Sequence, residues 1–183
     1  MMRISLALGP VLLMTAAGAL AGDRAPRSFR VEAILQPTEE VPALSSTASG
    51  SFKAWIDEAN QTISYRLQYD GLEGTTLQAN IHVVQRGVNG GVSVFLCGDP
   101  PAVPPPPVPA PPACPEGSAT IEGVLTPANI VGPNAQGIAP TSDGVNEFAE
   151  LIAVLRSGVT YANVHTSKFP GGEIRGQLRD HKR

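Results

Sequence analysis

The residues of this chain best suited to chemistry are three histidines, His82, His165 and His181. Two of them lie in segments that alternate like β-strands. In Asn80-Ile81-His82-Val83, alternation sets Asn80 and His82 on one face and Ile81 and Val83 on the other. Asn163 and His165 are set against Ala162 and Val164 in the same way. Two imidazoles on one polar face could bind copper or zinc, because neutral imidazole is a good ligand for both. A structural zinc site uses about four ligands and a catalytic one about three. Glu173 is the candidate for a third, provided the fold brings it to the pair, because His181 belongs to the terminal run His181-Lys182-Arg183. With no cofactor bound, His82 and His165 are expected to be hydrogen-bonded surface residues.

A second polar row is Glu173, Arg175 and Gln177, alternating with Ile174, Gly176 and Leu178. Such a row ordinarily forms cross-strand ion pairs and meets water. No catalytic residue is assigned. The sequence has no Gly-rich loop ending in Lys-Ser/Thr to cradle phosphate. It has no Gly-x-Ser-x-Gly elbow and no cysteine beside a histidine to act as a nucleophile.

The elements that position these groups read as strands. Ile63, Tyr65, Leu67 and Tyr69 alternate with Thr62, Ser64, Arg66 and Gln68, and Phe52, Ala54 and Ile56 alternate with Ser51, Lys53 and Trp55. Similar runs occur around Phe29–Leu35, 77–84, 92–97, 119–125, 160–166 and 173–179. Asp57-Glu58-Ala59-Asn60 is a hairpin link. Asn89-Gly90-Gly91 can supply the positive φ angles of a tight turn, and Phe169-Pro170-Gly171-Gly172 turns the chain into its last strand. Phe148, Leu151, Ile152 and Leu155 instead fall on one helical stripe, with Ser142 or Asp143 as cap and Gly158 as stop. A shorter helical turn is expected at Thr126-Pro127. The expectation is an all-β barrel or sandwich of about eight strands with one short helix.

The compartment is legible too. Met1-Met2-Arg3, the apolar run 4–20 and Ala19-Leu20-Ala21 have the three-part form of a secretory signal peptide over residues 1–21, leaving 22–183 as one domain, secreted or periplasmic. No later stretch is apolar enough to be transmembrane. In an exported chain, Cys97 and Cys114 are expected to form a disulfide that closes the proline-rich loop 98–113. The formal net charge of −3 becomes more negative when the leader takes Arg3 with it, so the chain lacks the basic footprint of a nucleic-acid binder.

Several blocks together carry a resemblance: Glu40-Val41-Pro42, Asn80-Ile81-His82, Gly87 to Cys97, the helix 148–156, Tyr161 to Thr166, and Pro170 to Leu178. In this order they resemble the CHRD domain, first noticed in chordin and common in bacterial exported proteins. The resemblance implies an immunoglobulin-like fold similar in outline to copper–zinc superoxide dismutase, and no settled activity. Family members often carry His-x-His where this chain has Asn80-Ile81-His82. A similar His-x-His in dismutases supplies copper ligands and a later Val-His supplies another, which His82 and His165 match. The resemblance thus leaves two expectations. One is a non-enzymatic exported module engaging a cell-surface protein or polysaccharide. The other is a copper- or zinc-binding protein with a degenerate site.

Overall fold

The computed structural model describes residues 28–99, 108–138 and 145–181. The expected signal peptide, the prolines within 100–107 and the helix caps Ser142 and Asp143 lie outside these residues. Two antiparallel sheets contain nine strands among the described residues. These are β1 (Phe29–Leu35), β2 (Ser49–Asp57), β3 (Thr62–Asp70), β4 (Thr76–Val83), β5 (Gly91–Gly98), β6 (Ala119–Leu125), β7 (Thr160–Thr166), β8 (Ile174–Gln177) and β9 (Arg179–Asp180). The five-stranded sheet has the order β6-β3-β2-β1-β9 and the four-stranded sheet the order β5-β4-β7-β8.

The inner faces are built by the residues that alternation selects. Val31, Leu35, Phe52, Ile56, Ile63, Leu67 and Ile121 from one sheet meet Ala79, Ile81, Val94, Leu96, Val164 and Ile174 from the other in a continuous apolar core. Helix α1 (Val145–Ser157) adds Phe148, Leu151, Ile152 and Leu155, the predicted stripe, to the same core. Gly158, in a left-handed conformation with φ 74°, stops it as expected. The turn after Thr126 is a single 3₁₀ turn, Pro127–Asn129.

The seams decide between sandwich and barrel. Gln36, just beyond β1, bridges Arg175 of β8, and Ile130, beyond β6, bridges Val94 of β5. Each seam is pinned by an isolated bridge rather than a ladder, so the architecture is a sandwich and not a closed barrel. At Leu178 the chain changes sheets. Leu178 N–H still donates to Thr160 of β7 (2.9 Å), whereas Arg179 and Asp180 already pair with Glu32 and Val31 of β1. The predicted last strand is therefore two strands. Gly176 permits the crossing, since a Cβ there would collide with the Ile34 main-chain oxygen.

The turn between β4 and β5 differs from expectation. Gly87 takes the positive φ (80°), not Asn89, Gly90 or Gly91. Gly90 is needed for space, because a Cβ there would run into the Val83 carbonyl.

Cys97 and Cys114 form the expected disulfide, Cα to Cα 5.0 Å. Closing a loop of this size restricts the unfolded chain by about 3 kcal/mol in the chain-entropy model. Replacing both cysteines with alanine is expected to lower the free energy of unfolding by about that amount. Chemical denaturation with and without reductant checks it, because reductant should destabilise only the wild type.

Candidate functional site

Strands β4 and β7 are neighbours in register, with Asn80 opposite Asn163 and His82 opposite Tyr161. On β8, Arg175 lies opposite Asn163. The core takes Ala79, Ile81, Ala162 and Val164, as alternation requires. Asn80, His82, Tyr161, Asn163, His165 and Arg175 gather on the other face of the four-stranded sheet.

That face is not at the surface. His82 is 8% exposed, His165 7% and Arg175 2%, and every residue of β7 is buried. Surface histidines and a wet polar row were expected, and both expectations are corrected. The physical reason is that segments 84–90 and 167–173 lie over the sheet and offer main-chain carbonyls to its polar side chains. Arg175 donates to the Val88 carbonyl (2.6 Å) and to Asn89 Oδ1 (3.0 Å). Asn89 Nδ2 in turn donates to the Val41 carbonyl (3.0 Å), which ties segment 36–47 to segment 84–90.

The hydrogen bonds fix the state of both imidazoles. His82 Nδ1 is 2.9 Å from the Gly90 carbonyl and His165 Nδ1 is 3.0 Å from the Pro170 carbonyl. A carbonyl can only accept, so each Nδ1 carries the proton, and in the neutral ring each Nε2 is a bare lone pair. Both Nε2 atoms converge on Asn80 Oδ1, at 2.6 and 3.3 Å, and His165 Nε2 also lies 3.1 Å from Asn163 Oδ1. Acceptors thus face acceptors, while the buried Asn80 Nδ2 has no partner. The group between the imidazoles must be a donor or a cation. Turning the Asn80 amide by half a rotation supplies the donor, since its NH₂ then reaches both nitrogens.

Burial holds the rings neutral. It pushes His82 down to about 4, against a bond to Gly90 that raises it and charges on His165 and Arg175 that lower it further. His165 is also lowered, again mainly by burial. His82, Tyr161 and Arg175, on three consecutive strands, form a stack. The His82 and Tyr161 ring centroids are 4.6 Å apart at 4°, and the guanidinium carbon lies 3.4 Å from the Tyr161 centroid.

Glu40 is the member that sequence reasoning missed. It follows the 3₁₀ turn Pro37–Glu39, is buried, and has no good hydrogen bond to its Oε1. Burial pushes it up to about 7, opposed by the Arg175 charge and by the neighbouring Asn163 amide. Gly172 (φ 124°) makes room for it, since a Cβ there would stand 2.5 Å from Glu40 Oε1 and 2.8 Å from Asn163 Nδ2. The available signal was Glu40 within the Glu-Val-Pro block, together with a glycine beside Glu173.

Glu173 does not join the histidines. Its Oε1 accepts from Ser46 Oγ (2.7 Å) and the Glu73 N–H (2.9 Å), and its Oε2 accepts from Thr166 Oγ1 (2.7 Å). It is a fastener for the neighbouring loops rather than a third ligand. Glu173 and Arg175 form no ion pair with each other; the acid and the base each tie a different loop to the sheet. Gln177 donates to the carbonyls of Gly158 (2.8 Å) and Val84 (3.2 Å). His181 is exposed and bonds Glu32 (2.9 Å), apart from the pair, and this bond is the main cause that lowers the Glu32 pKa.

The model of the CHRD domain matches residues 31–178. The chain belongs to the CHRD domain family. No curated protein and no solved structure matches it. The matched span of this CHRD chain runs from within β1 to the strand change at Leu178, and so contains β2 to β8, Glu40, both buried histidines and Arg175. Among the described residues no group of three His, Cys, Asp or Glu side chains could hold a metal ion, and no helix is long and apolar enough to cross a membrane. The contacts of both Nε2 atoms are buried.

Proposed function

We propose that the chain is an exported, non-enzymatic module that engages a protein or polysaccharide at the cell surface or in the periplasm. The observation that carries this reading is the contrast between the two sheets. The titratable groups of the four-stranded sheet are consumed in fastening loops, whereas the outer face of the five-stranded sheet is open. The disulfide suits an oxidising compartment, as does the leader-like start of the chain. The test is a pull-down from the native envelope with residues 22–183 as bait. Specific capture of one envelope component, retained when His82 and His165 are both alanine, supports the module. Absence of any captured component from the envelope overturns it.

A second reading is favoured by the convergent Nε2 lone pairs. Two imidazoles whose Nδ1–H groups are held by main-chain carbonyls have the outer bonding that orients metal-ligating histidines. The fit is partial, since only the amide oxygens of Asn80 and Asn163 stand by to complete the set. His82 and His165 would hold Cu(II) or Zn(II), and the ion would supply a Lewis-acid or redox centre. Equilibrium dialysis is expected to show binding that disappears in the double alanine variant. No uptake at about 100 μM metal, an affinity weaker than roughly 5 kcal/mol, ends this reading.

A further inference from the structure

The outer face of the five-stranded sheet is ordered by register into cross-strand rows. Arg30, Trp55, Ser64 and the exposed Val124 lie in one row, and Glu32, Lys53, Arg66 and Glu122 in the next. Trp55 is the only tryptophan of the chain, sits on the central strand β2 and is 45% exposed. A hollow of about 260 Å³ runs beside it, lined by Phe29, Arg30 and His181 among others. His181 is shared with an adjoining hollow of about 470 Å³ that contains Ile34, Ser51, Lys53 and Arg179 beside the carboxylates of Glu32, Glu39 and Asp180. The two hollows meet at His181, and we treat them as one shallow groove across β1 and β9 with the Trp55 indole at one end.

The charges along this groove do not cancel. Glu32 is engaged by His181 (2.9 Å) and Arg30 (3.7 Å), and Glu39 by Arg86. Asp180 is also partnered. Lys53 and Arg179 are both exposed, and neither forms an ion pair among the described residues. On a chain of net charge −3, the charge left over in the groove is therefore positive. The cross-strand neighbours of Trp55 are polar, Arg30 and Ser64.

We infer that this groove docks an anionic polysaccharide. The indole face packs on the C–H face of a sugar ring, Ser51 meets a hydroxyl, and Lys53 and Arg179 take the acidic substituents. A groove lying along an open sheet suits a segment within a polymer. The inference rests on the module reading above and names its partner class.

The test uses polygalacturonate as the acidic probe and dextran as the neutral one, with residues 22–183. Affinity electrophoresis is expected to show retardation by polygalacturonate that weakens with salt, and the Trp55 emission is expected to shift to the blue as polymer covers it. Trp55→Ala and Lys53→Gln/Arg179→Gln should each weaken retardation about tenfold with unchanged thermal unfolding. Retardation unaffected by these substitutions, or equal for dextran, overturns the inference. Failure with polygalacturonate alongside capture of an envelope protein sinks the polysaccharide and leaves the module standing. Failure with both polymers and with the envelope sinks both.

Discussion

Replacing Arg175 with methionine is expected to lower the free energy of unfolding by about 3–5 kcal/mol, the usual consequence of removing one member of a buried charged cluster. Methionine retains much of the stem but none of the five donors. The Val88 carbonyl and Asn89 Oδ1 lose their donor, and Glu40 loses the positive charge that holds its pKa down. The segment 84–90 also presents the Gly90 carbonyl to His82, so the substitution loosens a second contact. Arg175→Lys keeps the charge without the planar fork or the full stack on Tyr161, and is expected to recover less than half of the loss. Urea unfolding of the three proteins at neutral pH measures this. A loss below about 1 kcal/mol for the methionine variant would mean that the guanidinium is solvated and the cover over the sheet is open.

The second large effect is a pH dependence hidden by compensation. His82 falls from 6.5 to about 4 on folding, so between those values the unfolded chain holds a proton that the folded chain refuses. Stability from this group is complete above pH 6.5 and is lost as pH falls toward 4. Glu40 rises from 4.5 to about 7, so the folded chain keeps a proton that the unfolded chain has released. Stability from this group is complete below pH 4.5 and is lost as pH rises toward 7. Each shift corresponds to about 3 kcal/mol, and between pH 4.5 and 6.5 they oppose. Arg175 and Tyr161 face both groups, and the lowered His165 adds to the acid-side loss. Glu40→Gln removes the opposing contribution. Its stability is expected to fall by about 2 kcal/mol more than that of wild type as pH drops from 6.5 to 4.5. Urea midpoints in chelator-containing buffers across that range test this, and parallel profiles for variant and wild type would contradict it.

The fold was legible wherever one face of an element meets water. β2 and β3 bury Phe52, Ile56, Ile63 and Leu67 and expose Lys53, Ser64 and Arg66, so their alternation could be read directly. The stripe of α1 and the pairing of Cys97 with Cys114 were legible for similarly local reasons. In β7, by contrast, alternation sorts side chains by polarity and does not show that loops cover the polar side. Asn163 and His165 therefore read as surface residues while being buried. Glu40 was hidden because it reaches Asn163 and Arg175 from a loop distant in sequence, where the missing Cβ of Gly172 leaves space for it. The strand change at Leu178 was invisible because both halves of that segment keep the same strand-like pattern.

The pivotal statement about this molecule is that His82 and His165 are sealed, neutral and protonated on Nδ1. Long-range ¹H–¹⁵N correlation of the imidazole nitrogens, recorded through a pH titration of the metal-free protein, examines it directly. The expected spectra show Nδ1–H tautomers for both rings at pH 7, with His82 remaining neutral down to about pH 5. Rings that carry the proton on Nε2, or that titrate together near 6.5, would contradict it.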